Sequence, residues 1–519
     1  MIPGCYRATK ERVRVEQTQD LPSLARDAAT GGLWLAGFRL LTQLLSWAIT
    51  IWVARILAPE DYGLMSMASL LTGYAAVFSE LGLAMALIQR KQITQEQLSS
   101  TFWFSMIVAA IFAIITFGLA YPTAWLFNEP RVIPITQSIS VLFIIGGVAL
   151  VPYSILNRTV RFKALGMIQF LAVTVASFSM LVMARSGYGV WTLILGTIIL
   201  RASNAILVFL AAQWRPDLHF RLVDVRPFLL FGINVAGANS LDYVLHAVIN
   251  FIIGANLGAQ ALGYYSFAFQ LATAPSDKVL AIVNQVSFPV FSQYQHSLTK
   301  TRDFYLKVTK YVSLIASPLF LAGVFFGDEI IATMLGESWS PMNFFFKTLC
   351  LARFAACLSE IHSLIHNSQG RPKWVLYLRL SSAGVLPLVV LAASAYGNDA
   401  AALPWVTVYP AICLVWTSVT LKSLGIPAMR YLGSCIGPFL ASLVMMTGVY
   451  VGRPIFTRIY EVEWGARAIL LQEMVAVALL YGVYVRIFER VSLHEIAALL
   501  RWPSPSQSRR GKMIGRPGV

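Results

Sequence analysis

Fourteen stretches of this chain are apolar over lengths that cross a bilayer, and this constrains the fold more than any motif does. A hydrocarbon core about 30 Å thick takes roughly 20 helical residues per crossing. The runs lie near 31–57, 62–88, 98–121, 133–156, 164–184, 189–212, 228–254, 262–294, 309–334, 343–368, 374–396, 401–421, 431–452 and 466–488. Inside lipid every backbone N–H and C=O must find its partner within the protein, so such runs read as helices. Only 12% of the 519 residues are charged and 57% are hydrophobic, whereas a soluble domain is about a quarter charged. The expected fold is an all-α polytopic membrane protein of about 14 transmembrane helices, with too little chain between them for a soluble catalytic domain.

The net charge of +16 first suggests a nucleic acid, but its distribution points to membrane topology instead. With both termini placed in the cytoplasm, 28 of the 40 Lys and Arg residues fall on inner segments. Six fall on outer loops (Arg55, Arg131, Arg185, Arg453, Arg458, Arg467) and six within spans. This is a positive-inside pattern, and no nucleic-acid partner is expected. The polar opening residues lack the apolar core and small-residue cleavage site of a secretory signal. Cys5, Cys350, Cys357, Cys413 and Cys435 avoid the outer loops and read as small buried hydrophobes rather than a disulfide framework. The Pro-, Ser- and Arg-rich stretch 491–519 is expected to be disordered.

One corner is spelled twice. "LAPEDYGLMSMASLL" (57–71) returns as "LGAQALGYYSFAFQL" (257–271), with Leu57, Gly63, Ser66, Ala68 and Leu71 repeated 200 positions on. Six spans separate the copies, so the repeat runs parallel, about a pseudo-two-fold axis along the membrane normal. Spans 1–6 (31–212) and 7–12 (228–421) are then two six-helix lobes around a central cavity, joined by a cytoplasmic linker, 213–227. Residues 1–30 form a cytoplasmic leading segment, 422–490 two added helices, and 491–519 a basic cytoplasmic tail. Polar residues follow the same repeat. Arg39, Gln43, Ser46 and Thr50 share one face of span 1, and Asn239, Asp242, His246 and Asn250 share one face of span 7. Ser and Thr alone serve as interhelical glue; a charge at mid-membrane needs a partner or water.

The stretch "VARILAPEDYGLMSMASLLTGYAAVFSELGLAMALIQRKQITQEQLSSTFWFSM" (53–106) is similar to the amino-terminal signature of Wzx-type polysaccharide flippases, in the multidrug/oligosaccharidyl-lipid/polysaccharide exporter superfamily. "IIGANLGAQALGYYSFAFQLA", "SFPVFSQYQ", "MLGESWSP" and "NSQGRPKW" follow in the expected order, so the resemblance runs over roughly 30–425. It implies a multi-pass bacterial inner-membrane protein that carries undecaprenyl-pyrophosphate-linked oligosaccharide from the inner to the outer leaflet, for lipopolysaccharide or exopolysaccharide synthesis. The implied partners are that lipid-linked substrate, membrane lipids, a coupling proton or sodium ion, and polysaccharide polymerase and export machinery. The chain departs from the family at Ile249 and Ala255, where members often carry an acidic and a basic residue.

Such a cargo leaves its isoprenoid tail in lipid, but its pyrophosphate needs a hydrated cationic cavity. Arginine suits it, since a guanidinium stays charged and holds phosphate oxygens in pairs. The cation set is Arg39, Lys278, Arg353 and Arg379, with Gln43, Asn239, His246 and Asn250 as further cavity residues. No GxxxxGK[ST] loop occurs, so the energy is expected from an ion gradient, the membrane potential or consumption of the product. The coupling candidates are Glu80, Asp242, Asp277 and Glu360. Asp277 has a second reading as a salt bridge with Lys278, and Glu360 as the partner of Arg353, seven residues earlier on one face. His362 and His366 have the spacing of metal ligands but no third ligand at a suitable offset, so neither metal nor cofactor is expected.

Two other readings stay open at this point. A cation-coupled drug antiporter of the same superfamily would want an acidic cavity, against the six Lys and Arg within spans. A membrane-embedded polysaccharide polymerase or ligase would want a large outer loop bearing catalytic Arg or His, which the spacing of the runs leaves no room for.

Overall fold

The structure, a computed structural model, describes residues 21–79, 83–90, 93–159, 161–460 and 466–488, and all its regular elements are helical. In chain order they are α1 (Leu21–Ile56), α2 (Pro59–Ser79), α3 (Leu83–Gln89), α4 (Gln95–Phe127), α5 (Val132–Ile139), α6 (Val141–Arg158), α7 (Phe162–Arg185), α8 (Trp191–Ala212) and α9 (Leu222–Tyr294). There follow α10 (Leu298–Phe325), α11 (Gly327–Met334), a 3₁₀ turn (Glu337–Met342), α12 (Asn343–Ser368), α13 (Pro372–Ser394), α14 (Asn398–Ala402), a second 3₁₀ turn (Leu403–Trp405), α15 (Val408–Leu424), α16 (Ala428–Tyr460) and α17 (Ala466–Phe488). The expected tail, 491–519, and the first twenty residues lie outside the described set.

Eleven helices among the described residues are long and apolar enough to cross a membrane, against the fourteen runs of the sequence. The difference has physical causes. The runs at 228–254 and 262–294 are two helices that meet without an intervening loop, at a kink where Gly258 takes φ 84° and ψ 178°, a conformation open to glycine and costly for side chains, so they count as a single stretch. The run at 62–88 falls on α2 and α3. That at 343–368 is α12, whose Lys347, Arg353 and Glu360 lower its apolarity. Elsewhere the ends obey local chemistry. Thr94 and Gln97 close a capping box that starts α4. Asn128, Gln213 and Gly425 stop α4, α8 and α15 in the left-handed conformation.

The chain divides into two compact units. The first is Met1–Phe267 with Met334–Met342 and Ala383–Ala401; the second is Ala268–Thr333, Asn343–Ser382 and Ala402–Val519. In the first, α1 packs along α7, with a cation over an indole at each end: Lys163 5.0 Å from the Trp34 ring and Arg185 5.8 Å from Trp52. Leu83, Leu87, Leu98, Phe102, Val151 and Trp214 form one of its cores. The stretch after α8 is strapped to the start of α4. The Trp214 indole donates to Gln95 at 2.7 Å, the Asp217 amide to Ser99 at 3.0 Å and the Arg221 amide to Ser100 at 3.1 Å.

The repeated corner is a contact in this same unit. Ser66 and Ser266, 200 positions apart, share a hydrogen bond of 2.9 Å. A Cβ on Gly63 would stand 1.7 Å from the Ala259 carbonyl oxygen, and one on Gly263 1.8 Å from that of Pro59. Pro59 and Ala259 are themselves related by 200, so each corner lays its glycine on the other's backbone, the close approach that small residues permit between membrane helices. Fully buried Trp339 seals the contact. Its indole donates to the Ala54 carbonyl at 2.8 Å, and Tyr62, Tyr264 and Phe267 surround the ring.

In the second unit α10 packs on α12 and α16. Ser317 joins Ser442 at 2.9 Å, and Leu321, Phe326, Met446 and Val477 form a core. Arg453 lies between two carboxylates there, at 2.5 Å from Glu329 and 2.9 Å from Glu473.

Candidate functional site

The second unit holds a cavity of about 550 Å³ whose walls come from three helices. From α9 come Asn284, Gln285, Phe288 and Pro289; from α12 come Glu360, Ser363, Leu364 and Asn367; from α13 comes Arg379. The α12 residues fall at offsets of three, four and seven, which one face of a helix dictates. Two sequence candidates, Glu360 and Arg379, meet here. The amides Asn284, Gln285 and Asn367 were missed; the polar stripe running from Glu360 through Ser363 to Asn367 was the available signal.

Arg353, a turn or two before the cavity on α12, is held rather than free. Its Nε and Nη2 donate to the Ser276 hydroxyl at 3.2 and 3.0 Å, Asp277 lies 3.9 Å away, and the guanidinium sits 5.8 Å from the Phe269 ring centre. Neither local pairing read from the sequence forms. Among the described residues Glu360 has no ion-pair contact with Arg353 within 4 Å, although the Arg353 charge still acts on it, and Asp277 faces Arg353 instead of Lys278. Asp277 and Lys278 are both exposed.

In the first unit Arg39 is exposed on α1 and Gln43 half-buried a turn later; His246 and Asn250 are half-buried on α9. The side chains of Asn239 and Asp242, and all of Glu80, lie outside the described residues. Ile249, where the family resemblance leads one to look for an acid, is fully buried.

The histidine pair is bound up in packing. Thr417 gives its hydroxyl hydrogen to the Cys413 carbonyl at 2.8 Å, so His362 Nε2 donates to Thr417 at 2.9 Å and its Nδ1 accepts from the Tyr305 hydroxyl at 3.1 Å. His366 bonds Thr420 at 3.1 Å and stacks on Trp374. Both nitrogens of His362 are thus used by the protein, and the four described cysteines, Cys350, Cys357, Cys413 and Cys435, are buried and unpaired.

At the turn between α4 and α5, Arg131 bridges Glu129 at 2.8 Å and Glu60 at 2.5 Å. Its hydrogen bonds hold the Glu129 carboxyl below the usual carboxylate range, and the two acids raise the guanidinium in turn.

The sequence profile of the family described as "Polysaccharide biosynthesis protein" matches residues 52–343. The chain is 25% identical over 336 residues to the lipopolysaccharide biosynthesis protein WzxC of Escherichia coli K12, covering 63% of this chain and 67% of that protein. It is 24% identical over 442 residues to the teichuronic acid biosynthesis protein TuaB of Bacillus subtilis 168, covering 82% and 89%. It is 23% identical over 398 residues to the succinoglycan biosynthesis transport protein ExoT of Rhizobium meliloti 1021, covering 76% and 80%. Among solved structures, the lipid II flippase MurJ in an inward closed conformation superposes with a TM-score of 0.62 at 14% identity, over 89% of this chain and 100% of that one. An inward-facing multidrug resistance transporter of the MATE family gives 0.60 at 15% identity, over 74% and 94%. At 14% and 15% identity both likenesses show the fold alone.

Proposed function

The chain belongs to the polysaccharide biosynthesis protein family, and from that membership we propose that it is a flippase for undecaprenyl-pyrophosphate-linked oligosaccharide repeat units in the bacterial inner membrane. The observation that carries the reading is the family match over 52–343, which takes in both copies of the repeated corner. Relatives are named for lipopolysaccharide, teichuronic acid and succinoglycan biosynthesis, the last for transport, and movement of a lipid-linked sugar is the role we infer for this chain from them. In this reading the chain is a transporter without cofactor, crossing the membrane fourteen times with both ends in the cytoplasm, and its lobes are 31–212 and 228–421. Lipids and the lipid-linked glycan are its direct partners, with polymerase and export machinery downstream.

The pyrophosphate is met by Arg39, Arg353 and Lys278, with Gln43, Asn239, His246 and Asn250 supplying hydrogen bonds beside them. Arg353 is the best prepared of the cations. Ser276 and Asp277 fix its fork on one side, which lowers the ordering cost of gripping an anion. A proton or sodium gradient drives the cycle through Glu80, Asp242 or Asp277; Glu360, the fourth candidate, and Arg379 line the cavity of the second unit. The drug-antiporter reading is less well supported, because a cationic cargo is repelled by the Lys and Arg set.

The test is export of a fluorescent lipid-linked oligosaccharide in proteoliposomes, read as the fraction protected from a membrane-impermeant glycosidase. Arg39→Ala and Arg353→Ala are expected to insert normally and lose export by more than tenfold. Full export in both variants overturns the cationic-cavity reading, and extrusion of a lipophilic cation in place of the glycan favours the antiporter.

A further inference from the structure

The cavity of the second unit has a chemistry that a pyrophosphate site does not need. Its walls carry one carboxylate, Glu360, and one guanidinium, Arg379, and are otherwise neutral. What remains is hydrogen-bonding capacity. Asn284, Gln285, Glu360, Ser363 and Asn367 make no side-chain hydrogen bond to another described residue, and all five line the same 550 Å³ space. Amides give and take hydrogen bonds, a hydroxyl does the same and the carboxylate only accepts. A ligand that answers all of these at once is a neutral ring carrying several hydroxyls, each both donor and acceptor. Phe288, 44% exposed beside Asn284 and Gln285, adds a flat apolar wall for the C–H face of such a ring. The volume lies within the roughly 300–1,000 Å³ of small-molecule sites.

We propose that this cavity is a sugar-binding subsite, in which Asn284, Gln285, Glu360, Ser363 and Asn367 hold the hydroxyls of one or more sugar rings against Phe288. The inference rests on the flippase reading and deepens it. Glu360 and Arg379 serve sugar recognition here rather than coupling and pyrophosphate binding, and the phosphate is left to the other cations. The subsite then contributes to the choice of glycan.

The full chain in lipid nanodiscs is titrated with free hexoses, N-acetylhexosamines, hexuronates and inorganic pyrophosphate. At least one sugar class is expected to bind the wild type, and Asn284→Leu or Asn367→Leu to weaken it about tenfold each, the effect of one lost hydrogen bond at the upper end of its usual range. Pyrophosphate binding is expected to stay unchanged in both variants. As a second readout, Asn284→Cys is expected to react with a water-soluble thiol reagent and to be protected by the bound sugar. The proposal is overturned if no sugar binds at millimolar concentration, if both leucine variants keep wild-type affinity, or if they lose pyrophosphate instead. Failure of the flippase reading is seen separately, as wild-type protein that does not export lipid-linked glycan at all.

Discussion

At the scale of single residues, the charges with the clearest energetic consequence are ones the sequence hides. Arg453 sits on a loop by hydropathy, yet it balances Glu329 and Glu473, the latter only 7% exposed. Removing one partner of a buried pair leaves the other charge without compensation and costs about 3–5 kcal/mol. Arg453→Met is therefore expected to destabilise the packing of α16 and α17 by about 3 kcal/mol, toward the lower end because the guanidinium is partly exposed. The double variant Arg453→Met with Glu473→Gln is expected to recover much of it, and the unfolding midpoint in detergent is the measurement. An unchanged midpoint in Arg453→Met means that water already screens the cluster. The sequence could not show this triad, since its members come from three separate helices, α11, α16 and α17. The same blindness explains Arg353, Asp277 and Glu360. Neighbours in sequence suggested Lys278 with Asp277 and Arg353 with Glu360, but α9 brings Ser276 and Asp277 to Arg353 and leaves Glu360 facing a cavity.

At the scale of elements, hydropathy located the helices because lipid leaves the backbone no alternative, and its runs match them even where a helix carries several charges. The run read as 343–368 is α12 almost to the residue, but its polar face toward the cavity keeps it below the apolarity of a plain span. Helix ends depend on a few residues outside the runs, such as the Arg131 bridge at the turn from α4 to α5. Arg131 lowers the pKa of Glu129 in the folded state, so the bridge stabilises this turn above the unfolded carboxylate pKa, about 4.3, and loses that contribution as the pH falls through the depressed folded value. Because the groups are partly in solvent the effect is small. The protection of residues 127–132 against hydrogen exchange, taken relative to the intrinsic rate at each pH, is expected to fall below about pH 4 in the wild type, and Arg131→Gln is expected to lower protection already at neutral pH and flatten the acid response. An acid response that survives Arg131→Gln assigns the turn's stability to something other than this bridge.

At the scale of the whole molecule, the repeat was the most legible feature, and the structure gives it a physical meaning that spacing alone could not. The 200-residue offset relates Gly63 to Gly263, Pro59 to Ala259 and Ser66 to Ser266; Gly63 lies on Ala259, Gly263 on Pro59 and Ser66 on Ser266, so the two copies touch through reciprocal contacts of the same positions. In the proposed topology both corners lie at the outer ends of their helices, where a carrier that opens outward must part. The glycines make the approach close, and hydroxyls and aromatic rings hold it laterally: Ser66 on Ser266, Tyr62 on Phe267 at 4.9 Å, and the Trp339 ring beside both, contacts that can separate without exposing a buried charge. Replacing Ser66 and Ser266 by cysteines puts two thiols where the hydroxyl oxygens are now 2.9 Å apart. The four described native cysteines are buried and do not compete. Oxidation is expected to link the corners and reduce export by more than tenfold, a reducing agent to restore it, and each single cysteine variant to export normally. If the linked protein exports at the wild-type rate, the corners stay joined throughout the cycle, and the outward path must open elsewhere.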